Sequence, residues 1–190
     1  KSQSLSKKCT IHFKPITYNN QISYLPRDEA FWKPFNISSE QLMQDFIYSV
    51  SMYLYNDKKG NYFQIYANKP CYALTLPSGN VKIYNPYNTT GKWISNATSN
   101  DIGFLNKLPN QGDVLFICKS YKDARIQRNL VYNAIWIQGE HFPIPDDIIN
   151  NLATRFKTIY IYFDNDSSGI DAVLSLTQVC NQIIGRTSLI

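Results

Sequence analysis

The rhythm of apolar and polar positions changes near residue 108 of this 190-residue chain. Before that point the apolar residues come in short runs rich in Tyr, Phe and Ile, punctuated by Asn, Gly and Pro, a pattern of short strands and turns. Behind the cap residues Ser38/Ser39 and Glu40, however, Leu42, Met43, Phe46 and Ile47 recur at helical spacing and predict a helix over 38–48. The turn composition of 57–60 between the apolar runs 52–55 and 62–66 predicts a hairpin. A second hairpin is expected from 71–76 and 81–84 around Pro77, Gly79 and Asn80, followed by a short strand at 92–94.

After 109–112 the chain alternates between strand and helix. Residues 113–118, 134–137 and 158–163 read as buried strands. Helices are expected over 122–130 and 145–156, and a last one over 169–183. Strands and helices alternating at this spacing build βαβ units and a parallel sheet. The expected organisation is a flexible tail over 1–10, an α+β N-terminal lobe of mixed short strands over 11–108, and an α/β domain with a parallel sheet over 109–190.

Composition narrows the function classes. With 44% hydrophobic and 17% charged residues the chain has the makings of a core and is not a disordered tail. No apolar run is long enough to span a bilayer, and the first residues are not a signal peptide, so no membrane partner and a cytoplasmic setting are expected. The opening at Lys1 and the close at Ile190 read as a piece of a longer protein. A formal net charge of +5 is compatible with a polyanionic partner. Cys9, Cys71, Cys118 and Cys180 lie far apart, with no Cys-x-x-Cys pair and only two His, which argues against zinc; Cys71 and Cys118 read as buried free thiols. No Gly-rich Walker loop is present, so ATPase or helicase activity is not expected of this segment.

The chemistry concentrates where the apolar run 159–163 breaks into Asp164 and Asp166, then Gly169 and a helical pattern. Alternation along a strand projects Asp164 and Asp166 to one side of its C-terminal end, where open parallel sheets bind ligands. Two hard carboxylates there suit a hydrated Mg²⁺ or Mn²⁺ and, through it, phosphate chemistry. The alternative is that the acids only cap the next helix. Ser167 and Ser168 read as further caps, and Trp32, Trp93 and Trp136 as packing residues, with Trp93 beside Lys92 also able to stack on a base.

These residues carry a resemblance. The strand ending at Cys118, Lys119 to Asp123 after it, and Asp164 to Gly169 resemble a Toprim domain, the α/β module of bacterial-type primases, topoisomerases and certain nucleases. Ahead of it, Asp28 to Leu42 resembles the segment before the catalytic core of phage-type primases, and 81–86 and 92–96 are similar to that family's basic strands. The resemblance implies the catalytic core of a DNA primase without its zinc-binding domain, making short RNA primers from NTPs on a single-stranded DNA template. It also implies a replicative helicase, fused or separate, as partner. It assigns Mg²⁺ or Mn²⁺ to Asp164, Asp166 and Asp123, catalysis to these acids with Lys119, and nucleotide or template binding to Lys82, Lys92 and Trp93, the two lysines facing a cleft between the lobes. For each lysine the plain alternative is a solvated side chain on an edge strand.

One departure stands out. Where the Toprim pattern has Glu-Gly after its first strand, this chain has Lys119-Ser120. A charged Lys cannot ligate Mg²⁺. It is expected to lie beside Asp164 and Asp166, replacing part of a metal's charge. Glu140 is a further acid that could approach the strand ends, or a surface loop residue; His141 beside it reads as a loop histidine. Alternatives to primer synthesis are a divergent Toprim module that binds single strands without catalysis, and a Toprim nuclease.

Overall fold

The computed structural model describes residues 9–57, 59–139, 142–179 and 183–188, with side chains described as far as residue 176. The predictions for Cys180, Glu140, His141 and the tail over 1–8 fall outside the described residues. The chain divides into two compact units, Lys1–Ala97 and Thr98–Ile190.

The first unit is built on an antiparallel sheet. Strand β1 (Ile11–Pro15) is followed by the two-residue strands β2 (Thr17–Tyr18) and β3 (Gln21–Ile22). These pair across Asn19 and Asn20, both at positive φ, the conformation that Asn tolerates in tight hairpins. Helix α1 (Pro26–Trp32) starts with Pro at its first position, where no backbone N–H is needed. Asp28 in its first turn is fully buried; its Oδ2 accepts from the Leu25 N–H and the Ser49 hydroxyl, both at 2.8 Å, tying the helix start to the sheet. Helix α2 (Ser39–Gln44) begins with a reciprocal cap between Ser38 and Gln41.

The helix predicted over 38–48 stops at Gln44. Phe46 takes a left-handed φ of 58°, and Ile47 opens the long strand β4 (Ile47–Asn56). Ile47 faces Leu74 across the sheet, and tertiary pairing of a β-branched and aromatic run outweighs a helical spacing carried by few residues. Strand β5 (Tyr62–Tyr66) pairs with β4 as the first predicted hairpin. Strands β6 (Tyr72–Thr75) and β7 (Val81–Tyr84) form the second, turning through Gly79 at a φ of +84°. Strand β8 (Trp93–Ser95) completes the order β1-β4-β6-β7-β8, with β5 on β4. One face is filled by Ile11, Val50, Tyr53, Cys71, Ala73 and Ile83; the opposite face of β6 and β7 lies under Phe31 and Trp32 of α1.

The second unit alternates as predicted: β9 (Gly112–Cys118), α3 (Tyr121–Asn129), β10 (Asn133–Trp136), α4 (Asp146–Arg155), β11 (Phe156–Asp164), α5 (Ser167–Val179) and β12 (Ile183–Ser188). All pairs are parallel, in the order β10-β9-β11-β12. Ile183, expected at the end of the last helix, instead begins β12. The segment 98–108, expected in the first lobe, belongs here: Gly103 and Trp136 exchange backbone hydrogen bonds at 2.8 and 3.1 Å. A Cβ on Gly103 would sit 1.9 Å from the Trp136 ring, so only glycine allows this approach. Cys71 and Cys118 are buried free thiols, as expected.

Candidate functional site

Strand β10 lies on one side of β9 and β11 on the other, so the chain reverses its direction of travel across the sheet between β9 and β11. Ligands of open α/β sheets bind at such a switch point, beyond the carboxyl ends of the strands. Lys119 follows β9 there and Asp164 ends β11. The register brings them to within one residue of each other, because Cys118 is opposite Tyr162. Lys119 Nζ donates to Asp164 Oδ2, and the two side chains remain 27% and 42% exposed. The proximity of Lys119 to Asp164 expected from the shared strand edge is therefore present.

The other two acids serve helix starts. The strand ends at Asp164, two residues before Asp166, so strand alternation does not carry Asp166 to the same side. Asp166 instead caps α5: its Oδ1 accepts from the Gly169 N–H at 2.8 Å, and its carbonyl from the Ile170 N–H at 3.0 Å. Ser167 and Ser168 consequently lie inside the helix rather than at its cap. Ser120 caps α3 by accepting from the Asp123 N–H, while its hydroxyl donates to Asp123 Oδ2 at 2.5 Å. Burial, with the charge of Asp123 adding to it, pushes the Cys118 thiol well above its ordinary value, so this cysteine stays protonated beneath the site.

These bonds engage one oxygen of each carboxylate and leave the second outside them. Among the described residues no three His, Cys, Asp or Glu side chains gather where they could hold a metal. Asp164, Asp166 and Asp123 are the carboxylates here that could hold a hydrated Mg²⁺ or Mn²⁺, an ion that asks for one or two such ligands and not for a protein cage.

The basic residues of the first unit behave differently from one another. Lys82 is buried on the inner strand β7, opposite Leu74 and Ser95, so the picture of a solvated edge lysine does not hold for it. Its Nζ stands 4.6 Å from the centre of the Trp93 ring. Burial pushes its pKa down to about 8 from 10.5. Lys92 is exposed at the entry to β8. Trp93 is 43% exposed and lies nearly parallel on Tyr84, with centroids 4.1 Å apart and 12° between planes. Trp32 and Trp136, by contrast, are buried packing residues. Tyr84 is the member of this group that sequence reasoning did not single out; its position two residues after Lys82, on the same face of a strand, was the available signal.

No family model and no characterised protein matches the chain by sequence. Its fold does find relatives. It is similar to the Aquifex aeolicus primase zinc-binding and RNA polymerase domains, with TM-score 0.61 and 12% identity over 87% of this chain and 50% of that one. The chain has the fold of a DnaG-type primase catalytic core. The DnaG primase catalytic domain bound to single-stranded DNA matches with TM-score 0.50 and 14% identity, over 93% of this chain and 58% of that one. The primase fragment of the bacteriophage T7 primase-helicase protein matches with TM-score 0.50 and 16% identity, over 83% of this chain and 64% of that one. The chain thus spans between half and two thirds of these three structures. No helix among the described residues is long and apolar enough to cross a membrane.

Proposed function

We propose that this chain is the catalytic core of a DNA primase, joining NTPs into short RNA primers on a single-stranded DNA template in the cytoplasm. The observation that carries the reading is the Lys119–Asp164 pair at the sheet's switch point, in a fold shared with primase cores. Asp164, with Asp166 and Asp123 near the starts of α5 and α3, would hold Mg²⁺ or Mn²⁺ delivered with the triphosphate. When bound, the metal supplies neutralising charge on the phosphoryl group and its leaving oxygens. Lys119 has its own part in this chemistry. In the resting site it neutralises Asp164; when the triphosphate arrives, its ammonium turns to a phosphate oxygen, a charge-assisted hydrogen bond of the same kind, and releases the carboxylate for the metal. In the first unit, Lys82 and Lys92 supply cations for phosphates, and Trp93, backed by Tyr84, offers a face on which a base stacks. A replicative helicase, fused or separate, is the expected partner.

The Lys in place of the family's Glu favours a second reading, a Toprim module that binds single strands without chemistry. Incubation with labelled NTPs, single-stranded DNA and Mg²⁺ or Mn²⁺ separates the two. Template-dependent RNA oligomers are expected. Strand binding without product would establish the binding module, and degraded template would establish a nuclease.

A further inference from the structure

The solvent face of the β1-β4-β5 sheet carries none of the residues assigned above. Its register defines cross-strand rows. Lys14, Met52 and Tyr66 lie in one; His12, Leu54 and Gln64 in the next; Asn56 and Tyr62 in the last. Directly opposed residues share a face, so all of these side chains stand on one side of the sheet. The opposite side is the core face of Ile11, Phe13 and Tyr53.

Two features separate this face from an ordinary solvated sheet. Tyr62 and Tyr66 are each 71% exposed on a strand whose outer edge faces no other strand among the described residues. Two open rings on one face of one strand, with Met52 and Leu54 beside them on β4, are more than a single scattered exposed residue. The rings stand four residues apart on one strand, about 14 Å at the usual rise per residue. Gln64 lies between them, its amide donating to the Tyr66 hydroxyl at 2.5 Å. The rows also contain the exposed Lys14 and no acid, so the face has the sign that a polyanion requires.

We infer that this face binds single-stranded nucleic acid, with bases stacked on Tyr62 and Tyr66, the Gln64 amide reaching base edges between them, and Lys14 contacting the phosphate backbone. Exposed rings beside a cation on an open sheet are what a sequence-tolerant single-strand platform needs: each ring accepts any base face, and the cation follows the backbone. The spacing leaves room for the strand to pass from one ring to the next in an extended form. A duplex, whose bases are already stacked on one another, has no faces to offer. The platform goes beyond the primer-synthesis reading and does not depend on it, because neither metal nor Asp164 takes part.

The test is fluorescence anisotropy with a short fluorescein-labelled oligo-dT in EDTA, so that binding is read without metal. Tyr62→Ser with Tyr66→Ser should weaken binding on the order of tenfold for each ring lost, whereas Tyr→Phe at both positions should leave it unchanged. Lys14→Ala should make the slope of log K against log salt shallower by about 0.7, the loss of one phosphate contact on a single strand. Equal affinity of the double Ser variant and the native protein would overturn the platform, as would an absence of native binding in EDTA. A double Ser variant with unchanged oligonucleotide affinity but a lower oligomeric mass would assign the face to a second copy of the chain instead.

Discussion

The two units place their central lysines in opposite ways. Lys82 is enclosed in the first unit under its own aromatic neighbour, and burial pulls its pKa to about 8. Lys119 stands half-exposed at the edge of the second unit's sheet and meets its charge in Asp164. A buried cation costs the fold stability at neutral pH; an exposed ion pair contributes little in either direction. The contrast teaches that the same residue type can carry a desolvation cost in one unit and, in the other, sit in a partly hydrated ion pair that is cheap to exchange.

The largest effect expected is on activity at the exposed pair. Asp164→Asn should lower primer synthesis on the order of a hundredfold or more, with the thermal transition nearly unmoved. Asp166→Asn should do the same to activity while preserving the α5 cap, since Asn caps as well as Asp. Undiminished primer yield in the two variants combined would remove the acids from the reaction.

Lys82 is the mirror case, in which stability moves. Its folded pKa lies below its unfolded one, so between pH 8 and 10.5 the unfolded chain holds more protons than the folded protein. Native stability should therefore rise as pH climbs through that window, and the full cost, on the order of 3 kcal/mol, should stand below pH 8. Lys82→Met should raise stability at neutral pH by about 1–3 kcal/mol, abolish that slope in urea titrations, and weaken binding of the oligonucleotide or NTP. A flat native profile across the window would show that Lys82 is not desolvated in the folded protein.

Lys119→Glu tests the ion pair of the second unit. Stability should change by less than about 1 kcal/mol, because the pair is half in water. Mg²⁺ should bind more tightly to the apo protein, since a ligand replaces a competing cation. Superimposed metal titrations of the two proteins would exclude Lys119 from the site. The smallest effect is expected at Lys157, whose pair with Asp113 spans 2.6 Å between side chains about four-fifths exposed; Lys157→Ala should leave the denaturation midpoint within error.

How much of this was legible in the sequence follows from the range over which each feature is decided. Caps, turns and alternation are settled by a few adjacent residues. The Ser cap of α2, the β6–β7 hairpin around Gly79 and the succession from β9 to α5 were therefore readable directly from the chain, although the reciprocal partner of Ser38 is Gln41 and not Glu40. So was the meeting of Lys119 with Asp164, 45 residues apart, because parallel neighbours must end at one edge. What escaped were outcomes set by distant partners. Residues 47 and 48 fit a helix until Leu74 and Ala73 pair with them as a strand. Lys82 looks like any surface lysine until α1 and Trp93 close over its strand. Asp166 obeys the period of a strand on paper, but the strand ends at Asp164 and the carboxylate turns to the Gly169 N–H. Local chemistry decides which element a residue belongs to; burial and charge pairing depend on which distant element arrives beside it, and only the folded chain decides that.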